Sequence, residues 1–323
     1  MTETLLILAL ALVIDRIVGD PGWFWARLPH PVVLFGRAIS FFDRSLNRRR
    51  YDGERRRTNG ALTIAILLVA SLVLGWVLHR LFASIGPVGF VLEALLTAVF
   101  IAHKSLADHV SRVAAGLKQG GLAGGRAAVA MIVGRDPETL DEPAVCRAAI
   151  ESLAENFSDG VVAPAFWYVL FGLPGLLAYK MLNTADSMIG HKTTKYIDFG
   201  RASAILDDWA NFIPARMSIF LIAAGALVMR GTGAAKNALG TALRDHGLHR
   251  SPNSGWPEAA MAGALDIGLA GPRIYSGILV NEPMINGAGR LSAGGEDIRV
   301  SVQIFDLAGT ALVILALFLA FCV

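Results

Sequence analysis

The chain has 323 residues, of which 54% are hydrophobic and only 17% charged, against about 25% charged in soluble globular proteins. With a mean hydropathy of +0.53, this balance excludes a disordered chain and argues against an ordinary soluble domain, leaving an integral membrane protein. The net charge is +3, but nine of the 29 basic residues fall between Arg27 and Arg57, a clustering that marks a cytoplasmic membrane loop rather than a nucleic-acid surface.

A membrane span needs about 20 mostly apolar residues. The first candidate, residues 5–18, is short and interrupted by Asp15 and Arg16. Glu3 stands where a signal peptide would be basic, and no small-residue cleavage site follows, so the segment reads as a retained first helix. Residues 62–78, 85–101, 161–179, 212–228 and 304–322 follow. If all six cross, the basic residues outside them divide 22 to 5. That places loops 19–59, 102–160 and 229–303 in the cytoplasm and both termini outside. The same count puts 180–211 on the outer face. Pro164, Gly172, Pro174 and Gly175 interrupt the span before that segment and Arg216 sits in the span after it. The two spans therefore read as broken or re-entrant segments lining a polar cavity. The expected fold is an all-α polytopic membrane bundle of five or six apolar segments with helical cytoplasmic loops, a single domain over 1–323.

Between the spans, the Gly-rich stretch 116–125 reads as a loop, and no internal repeat is present. Residues 141–157 read as a helix capped by Asp141 with Pro143 in its first turn, ended by Gly160 and Pro164. Cys146 and Cys322 form neither a metal-spacing motif nor a disulfide framework.

Three polar constellations stand out. In 134–160, Arg147, Glu151 and Glu155 recur every four residues and share one helical face. They read either as a salt-bridge ladder or as part of a carboxylate surface for a divalent metal, because Asn156, Ser158 and Asp159 carry the polarity on to an apolar span and Arg135 and Asp136 precede it. In 183–211, Asn183, Asp186 and Ser187 lie at helical spacing, as do Asp207 and Asn211, with Asp208 between. An aspartate at membrane depth is a functional candidate; the alternative is a carboxylate solvated at the interface. Lys192, Lys195 and Arg201 read equally as a phosphate-binding set or a solvated basic loop. In 251–258, SPNSGWPE predicts a turn, with Trp256 and Glu258 marking an alternative reading as a binding loop. A Walker-type phosphate loop is absent, since Gly190-His191-Lys192-Thr193 lacks a glycine before the lysine, and so are H-E-x-x-H and zinc spacings.

Taken together, Asp15-Arg16-Ile17-Val18-Gly19-Asp20-Pro21, the pair His30-Pro31 and Gly36-Arg37, GRD at 134–136, ESLAENFSDGVVAP at 151–164, NTADSMIG at 183–190 and SPNSGWPEAAMAGAL at 251–265 resemble one family. It is the cobalamin-biosynthesis CobD/CbiB family, the adenosylcobinamide-phosphate synthases, matched in order over nearly the whole chain. The arginine-rich stretch 48–57 belongs to none of these motifs and reads as a topology signal.

The resemblance implies a ligase of the bacterial inner membrane, with its active site facing the cytoplasm. It would join (R)-1-amino-2-propanol, or its O-phosphate, to the f-propionate carboxylate of adenosylcobyric acid. ATP and Mg²⁺ are implied as co-substrate and metal, and the corrinoid as substrate rather than bound cofactor. Membrane lipid, and contact with other enzymes of the pathway, are the expected partners, with no nucleic acid. On this resemblance Glu151, Glu155 and Asp159 are the catalytic candidates, as metal ligands or as the base toward the amine. Asp186, Asp207 and Asp208 form a second candidate metal group. Arg135, Asn183, Lys192, Lys195 and Arg201 are assigned to phosphate or substrate, and Asn253, Trp256 and Glu258 to the corrin ring or its amides. Two rivals belong to other classes. A transporter predicts inverted repeats with matching broken segments, whereas one broken region is legible here. A non-catalytic sensor resembling the β-lactamase-induction accessory proteins could dispense with the ENFSDG and NTADS motifs.

Overall fold

The computed structural model describes residues 1–133, 136–275, 278–280 and 282–323. The helices are α1 (Thr2–Val18), α2 (Gly22–Trp25), α3 (Pro31–Leu46), α4 (Gly53–Ser84), α5 (Pro87–Val99), α6 (His103–Val129), α7 (Glu142–Phe157), α8 (Ala163–Ile189), α9 (Arg201–Ala210), α10 (Phe212–Arg230), α11 (Thr232–Asp245), α12 (Gly255–Leu265) and α13 (Gly295–Cys322). Between α12 and α13, β1 (Leu269–Ala270) pairs antiparallel with β4 (Met284–Ile285), and β2 (Arg273–Tyr275) with β3 (Ile278–Val280). The protein is thus an all-α polytopic bundle with only minor strand content. Among the described residues five helical runs are long and apolar enough to cross a membrane. The sixth expected span, α1, is a helix of 17 residues, about 25 Å long and short of a hydrocarbon core of about 30 Å.

The contacts fall into two compact units, each drawn from separate stretches of chain: 1–101, 163–211 and 316–323 in the first, 102–162 and 212–315 in the second. In the first unit, the Asp52 carboxylate accepts the Arg55 N–H at 2.7 Å and starts α4. This helix has 32 residues, about 48 Å, so its arginine-rich first turns extend beyond the length a bilayer requires. Leu62, Val69, Val73 and Val77 stay exposed along it, as a lipid-facing helix requires. The buried Glu93 of α5 accepts the Tyr168 hydroxyl of α8 at 2.8 Å and lies 3.0 Å from His79 Nδ1 of α4. A carboxylate at membrane depth is thereby given partners.

The broken span is a helical hairpin. At Gly172 the backbone takes φ 62°, ψ −152°, a conformation essentially restricted to glycine. The chain then folds back so closely that a Cβ on Gly175 would lie 2.5 Å from the Trp167 carbonyl oxygen. The returning limb runs antiparallel to α4, with Pro174 against Gly75 and Phe199 against Gly60. It delivers 190–200 to the basic start of α4, where Arg57 Nε pairs with Asp198 at 2.8 Å and Arg56 donates to the Lys195 carbonyl. The simple count of spans had separated these two stretches. The reversal at Gly172 brings them to one end.

In the second unit, the Gly-rich stretch 116–125 is helical rather than a loop. Gly121 (φ 57°) reverses α6, and Gly116 and Gly124 pack backbone to backbone because neither has a side chain. Asp141 caps α7 as expected, accepting the Ala144 N–H at 2.8 Å. Gly160 and Pro164 do not end that helical run. It passes through a π turn at Ser158–Val162 into α8. The proline ring denies Gly160 its usual partner four residues on, and the freed carbonyl accepts the Ala102 N–H at 3.0 Å instead. Such π turns recur at functional sites.

Candidate functional site

Each unit gathers its own polar cluster. In the first, the returning limb of α8 presents Tyr179, Asn183 and Asp186 at spacings of four and three, hence on one face, while Asp207 and Asn211 come from the end of α9. The Tyr179 hydroxyl donates to Asn211 Oδ1 (2.8 Å), and Asn211 Nδ2 donates to Asp207 Oδ2 (2.8 Å). Asn183 Nδ2 reaches Asp207 Oδ1 at 3.5 Å. Burial, followed by the negative charge of Asp186, pushes the Asp207 carboxyl up to about 7. Asp186 curls over the helix end into space only glycine leaves, since a Cβ on Gly190 would fall 1.8 Å from its Oδ1.

Asp208 is exposed. Burial raises its carboxyl and the positive Lys192 opposes that rise. Lys195 is committed to the scaffold: its ammonium donates to Asp43 Oδ2 at 2.7 Å and to the Tyr196 hydroxyl at 2.6 Å. Lys192 and Arg201 remain exposed. Among the described residues no three His, Cys, Asp or Glu side chains converge as a metal cage. Mg²⁺ is ordinarily held by one or two carboxylates completed by substrate phosphates, and the Asp186–Asp207 pair, one member buried and hard to ionise, fits that requirement.

In the second unit, α7 and the segment 246–258 meet. The Ser254 hydroxyl donates to Glu155 Oε1 at 2.8 Å. Glu151, one turn earlier, is buried and accepts the N–H of Ala270 at 2.8 Å, holding a residue whose φ is 61°. Arg147 donates to the Leu291 carbonyl at 2.9 Å, so the three residues each reach a different partner instead of forming a ladder. Asp159 lies half-buried in the π turn.

SPNSGWPE does more than turn. Its second half opens α12, whose Ala- and Gly-rich body is buried throughout. Gly263 permits this, since a Cβ there would come within 2.3 Å of the Asn237 carbonyl oxygen. Trp256 stacks on His246 with centroids 3.7 Å apart, and the Arg216 guanidinium lies 4.8 Å from the Trp256 ring centre and 3.4 Å from Asn253 Oδ1. His249 Nδ1 accepts the Ser251 N–H at 3.0 Å, so its proton sits on Nε2, 3.7 Å from Oε1 of the buried Glu258.

The sequence-predicted residues thus divide into two groups. Asn183, Asp186 and Asp207 come together in one unit, with Tyr179 and Asn211 added. Glu155, Asn253, Trp256 and Glu258 come together in the other, with Arg216, His246, His249 and Ser254 added. Arg135 lies outside the described residues. Of the additions, Asn211 carried its helical spacing to Asp207, Ser254 lay within SPNSGWPE and Arg216 was a charge in an apolar span; the two histidines had no such signal.

Comparison with known proteins agrees with the motifs. The model of the family described as CobD/Cbib protein matches residues 8–305. A protein of Sinorhizobium sp. named Cobalamin biosynthesis protein CobD is 71% identical over 97% of both chains. Proteins of the same name are 65% identical in Rhizobium meliloti, over 95% of this chain and 94% of theirs, and 45% identical in Rhodobacter capsulatus, over 87% and 86%. No solved structure matches. A match spanning nearly all of the chain, with relatives at these identities, establishes that it belongs to the CobD/Cbib protein family.

Proposed function

We propose that the protein is an ATP-dependent, amide-forming ligase of cobalamin biosynthesis. It joins the f-propionate carboxylate of adenosylcobyric acid to (R)-1-amino-2-propanol or its O-phosphate. The observation that carries this reading is the near-complete match to relatives named for cobalamin biosynthesis, in a chain that brings Glu155 to the Asn253–Glu258 motif.

An amine does not displace oxide from a carboxylate, so the acid is first activated, most simply as an acyl phosphate. Attack by the amine then needs a proton acceptor and donors for the charge that develops on oxygen. Glu155 suits the acceptor: it is half-buried and oriented by Ser254, and no arginine of the described residues is bonded to it. Glu151 suits a supporting role, because its carboxylate is engaged by Ala270. Asp159 in the π turn completes the catalytic set. Asp186 and Asp207 would hold Mg²⁺, which neutralises phosphate charge when bound, with the exposed Lys192 and Arg201 of the same unit serving nucleotide oxygens. Asn253 and Glu258 are buried and paired with Arg216 and His249. They position the site, and Trp256, stacked on His246 with Arg216 at its ring, is a substrate contact beside them.

A bacterial inner-membrane location with the site facing the cytoplasm is supported by the basic start of α4. Arg56 and Arg57 lie with 195–198, and arginine-rich loops stay on the cytoplasmic side, where ATP is found. The test is an assay of the purified protein with adenosylcobyric acid, each aminopropanol form, ATP and Mg²⁺. Amide product that requires all four supports the ligase; absence of product with both aminopropanol forms overturns it.

A further inference from the structure

Building on the ligase reading, we infer that Arg216 and Trp256 form the subsite for a substrate phosphate group. Arg216 opens the second turn of α10. Its guanidinium lies 3.5 Å from the Phe212 ring centre and 4.8 Å from that of Trp256. Among the described residues its partners are reached through Nη1, which donates to the Phe212 carbonyl at 2.6 Å and to Asn253 Oδ1 at 3.4 Å. No carboxylate of the described residues lies within ion-pair distance of it, although Glu155 is held by Ser254, the neighbour of Asn253.

Arginine has five N–H donors in a planar fork, and a half-buried guanidinium without a counter-ion is an expensive arrangement. Beside it the Trp256 Nε1–H is buried and has no acceptor among the described residues. Buried donors are nearly always matched in folded proteins, so the unmatched Trp256 Nε1–H, next to a half-buried guanidinium with no counter-ion among the described residues, implies an acceptor that arrives with a ligand. A stacking role alone accounts for the ring contacts but leaves the buried indole N–H without an acceptor.

The ligand chemistry follows from the donors. A planar cationic fork with an additional N–H suits an oxyanion with several oxygens, phosphate above all. The helix dipole of α12, which starts at Gly255, adds positive potential at the same residues. In the proposed reaction such a group arrives either on the nucleotide or on the aminopropanol O-phosphate. Either source places phosphate next to the residues that orient Glu155.

The test measures binding, not turnover. Purified full-length protein in detergent, as parent and as Arg216→Gln, Arg216→Lys and Trp256→Phe, is titrated with inorganic phosphate, ATP with Mg²⁺, (R)-1-amino-2-propanol O-phosphate and the unphosphorylated amine. Binding is read by thermal stabilisation, after gel filtration has established folding. Arg216→Gln is expected to weaken phosphate-bearing ligands about 10- to 100-fold, as for loss of a charge-assisted hydrogen bond, with Arg216→Lys in between. Trp256→Phe keeps an aromatic ring, removes the N–H, and is expected to weaken them about 2- to 10-fold. Binding of the unphosphorylated amine stays at the parent level. Weakening confined to ATP assigns the nucleotide, and weakening confined to the aminopropanol phosphate assigns the acceptor; both support the subsite. If Arg216→Gln does not fold, the other two variants decide by the same criterion. Phosphate ligands that bind the folded variants as tightly as the parent, or that fail to bind the parent, overturn it. Arg216-dependent binding in a protein that forms no amide would remove the ligase reading and keep the subsite.

Discussion

Pro174 of α8 lies against Gly75 of α4 so closely that a Cβ on Gly75 would come within 2.5 Å of the proline Cα. The contact is backbone to backbone, and close approach of this kind demands glycine. It fixes how deeply the hairpin turning at Gly172 runs along α4, and hence which end of α4 receives residues 190–200.

Two substitutions test this hairpin. Gly172→Ala forces a Cβ onto φ 62°, ψ −152° and is expected to destabilise by about 1–3 kcal/mol. Gly75→Val is expected to be more damaging, because the obstacle is backbone and cannot rotate aside. Gly240→Ala, in an exposed turn of α11 with open space at its Cβ, serves as the control and should be neutral or stabilising by up to about 1 kcal/mol. Thermal unfolding in detergent reads all three; equal melting temperatures for Gly172→Ala and the control would remove the strained reversal.

Sidedness follows from the same geometry. Cysteines at Arg49 and Thr193, both exposed, are expected to be shielded from an impermeant thiol reagent in intact cells and labelled together once the membrane is opened. Labelling of residue 193 alone from outside would place the two stretches on opposite faces and contradict the Arg56 and Arg57 contacts.

The Asp207 carboxyl makes stability depend on pH. Buried beside Asp186, it titrates near 7 in the folded protein against 3.8 for the free side chain. Between those values the folded state holds a proton that the unfolded chain has lost. This contribution to stability is therefore greatest below about pH 4 and declines as the pH rises to about 7, by roughly 4 kcal/mol in all. Asp207→Asn removes the decline, so in metal-free buffer the variant should gain on the parent from pH 4.5 to about 7 and level off by pH 8. Added Mg²⁺ at pH 8 should narrow the gap, because a cation offsets the cost of the ionised pair. A gap that is flat with pH would show Asp207 to ionise like a surface carboxylate.

Much of the fold was legible because it rests on local rules. The apolar runs, the Asp141 cap and the interruption around Gly172–Gly175 each have a residue-level cause. Other features depend on partners distant in sequence. Gly116 and Gly124 read as loop residues until each is seen to fill the other's missing side chain. Pro164 reads as a helix end because nothing local reveals that Ala102 will take the Gly160 carbonyl. For the site, the helical spacing of Asn183 with Asp186 and of Asp207 with Asn211 identified residues that do meet. The spacing of Arg147, Glu151 and Glu155 identified a shared face but not the separate partner that each residue finds.

Those separate partners make Glu151 and Glu155 distinguishable by mutation. Glu151 is 3% exposed and its Oε1 takes the N–H of Ala270, a residue held at φ 61°. A glutamine keeps an acceptor oxygen, so Glu151→Gln should retain most stability and activity. Glu151→Ala strands a buried N–H and is expected to cost about 1–3 kcal/mol. Among the described residues Glu155 accepts the Ser254 hydroxyl, and Ser254 can donate to an amide oxygen equally well, so Glu155→Gln should fold normally. What it lacks is a group able to take a proton from the amine, and the rate of amide formation should fall at least about 100-fold. Asp159→Asn is expected to lose activity to a similar degree if it shares that duty from the π turn. The decisive measurement is turnover at saturating Mg²⁺ and ATP beside a melting curve for each variant. Near-normal turnover in Glu155→Gln and Asp159→Asn would move the chemistry to the cluster around Asp186 and Asp207.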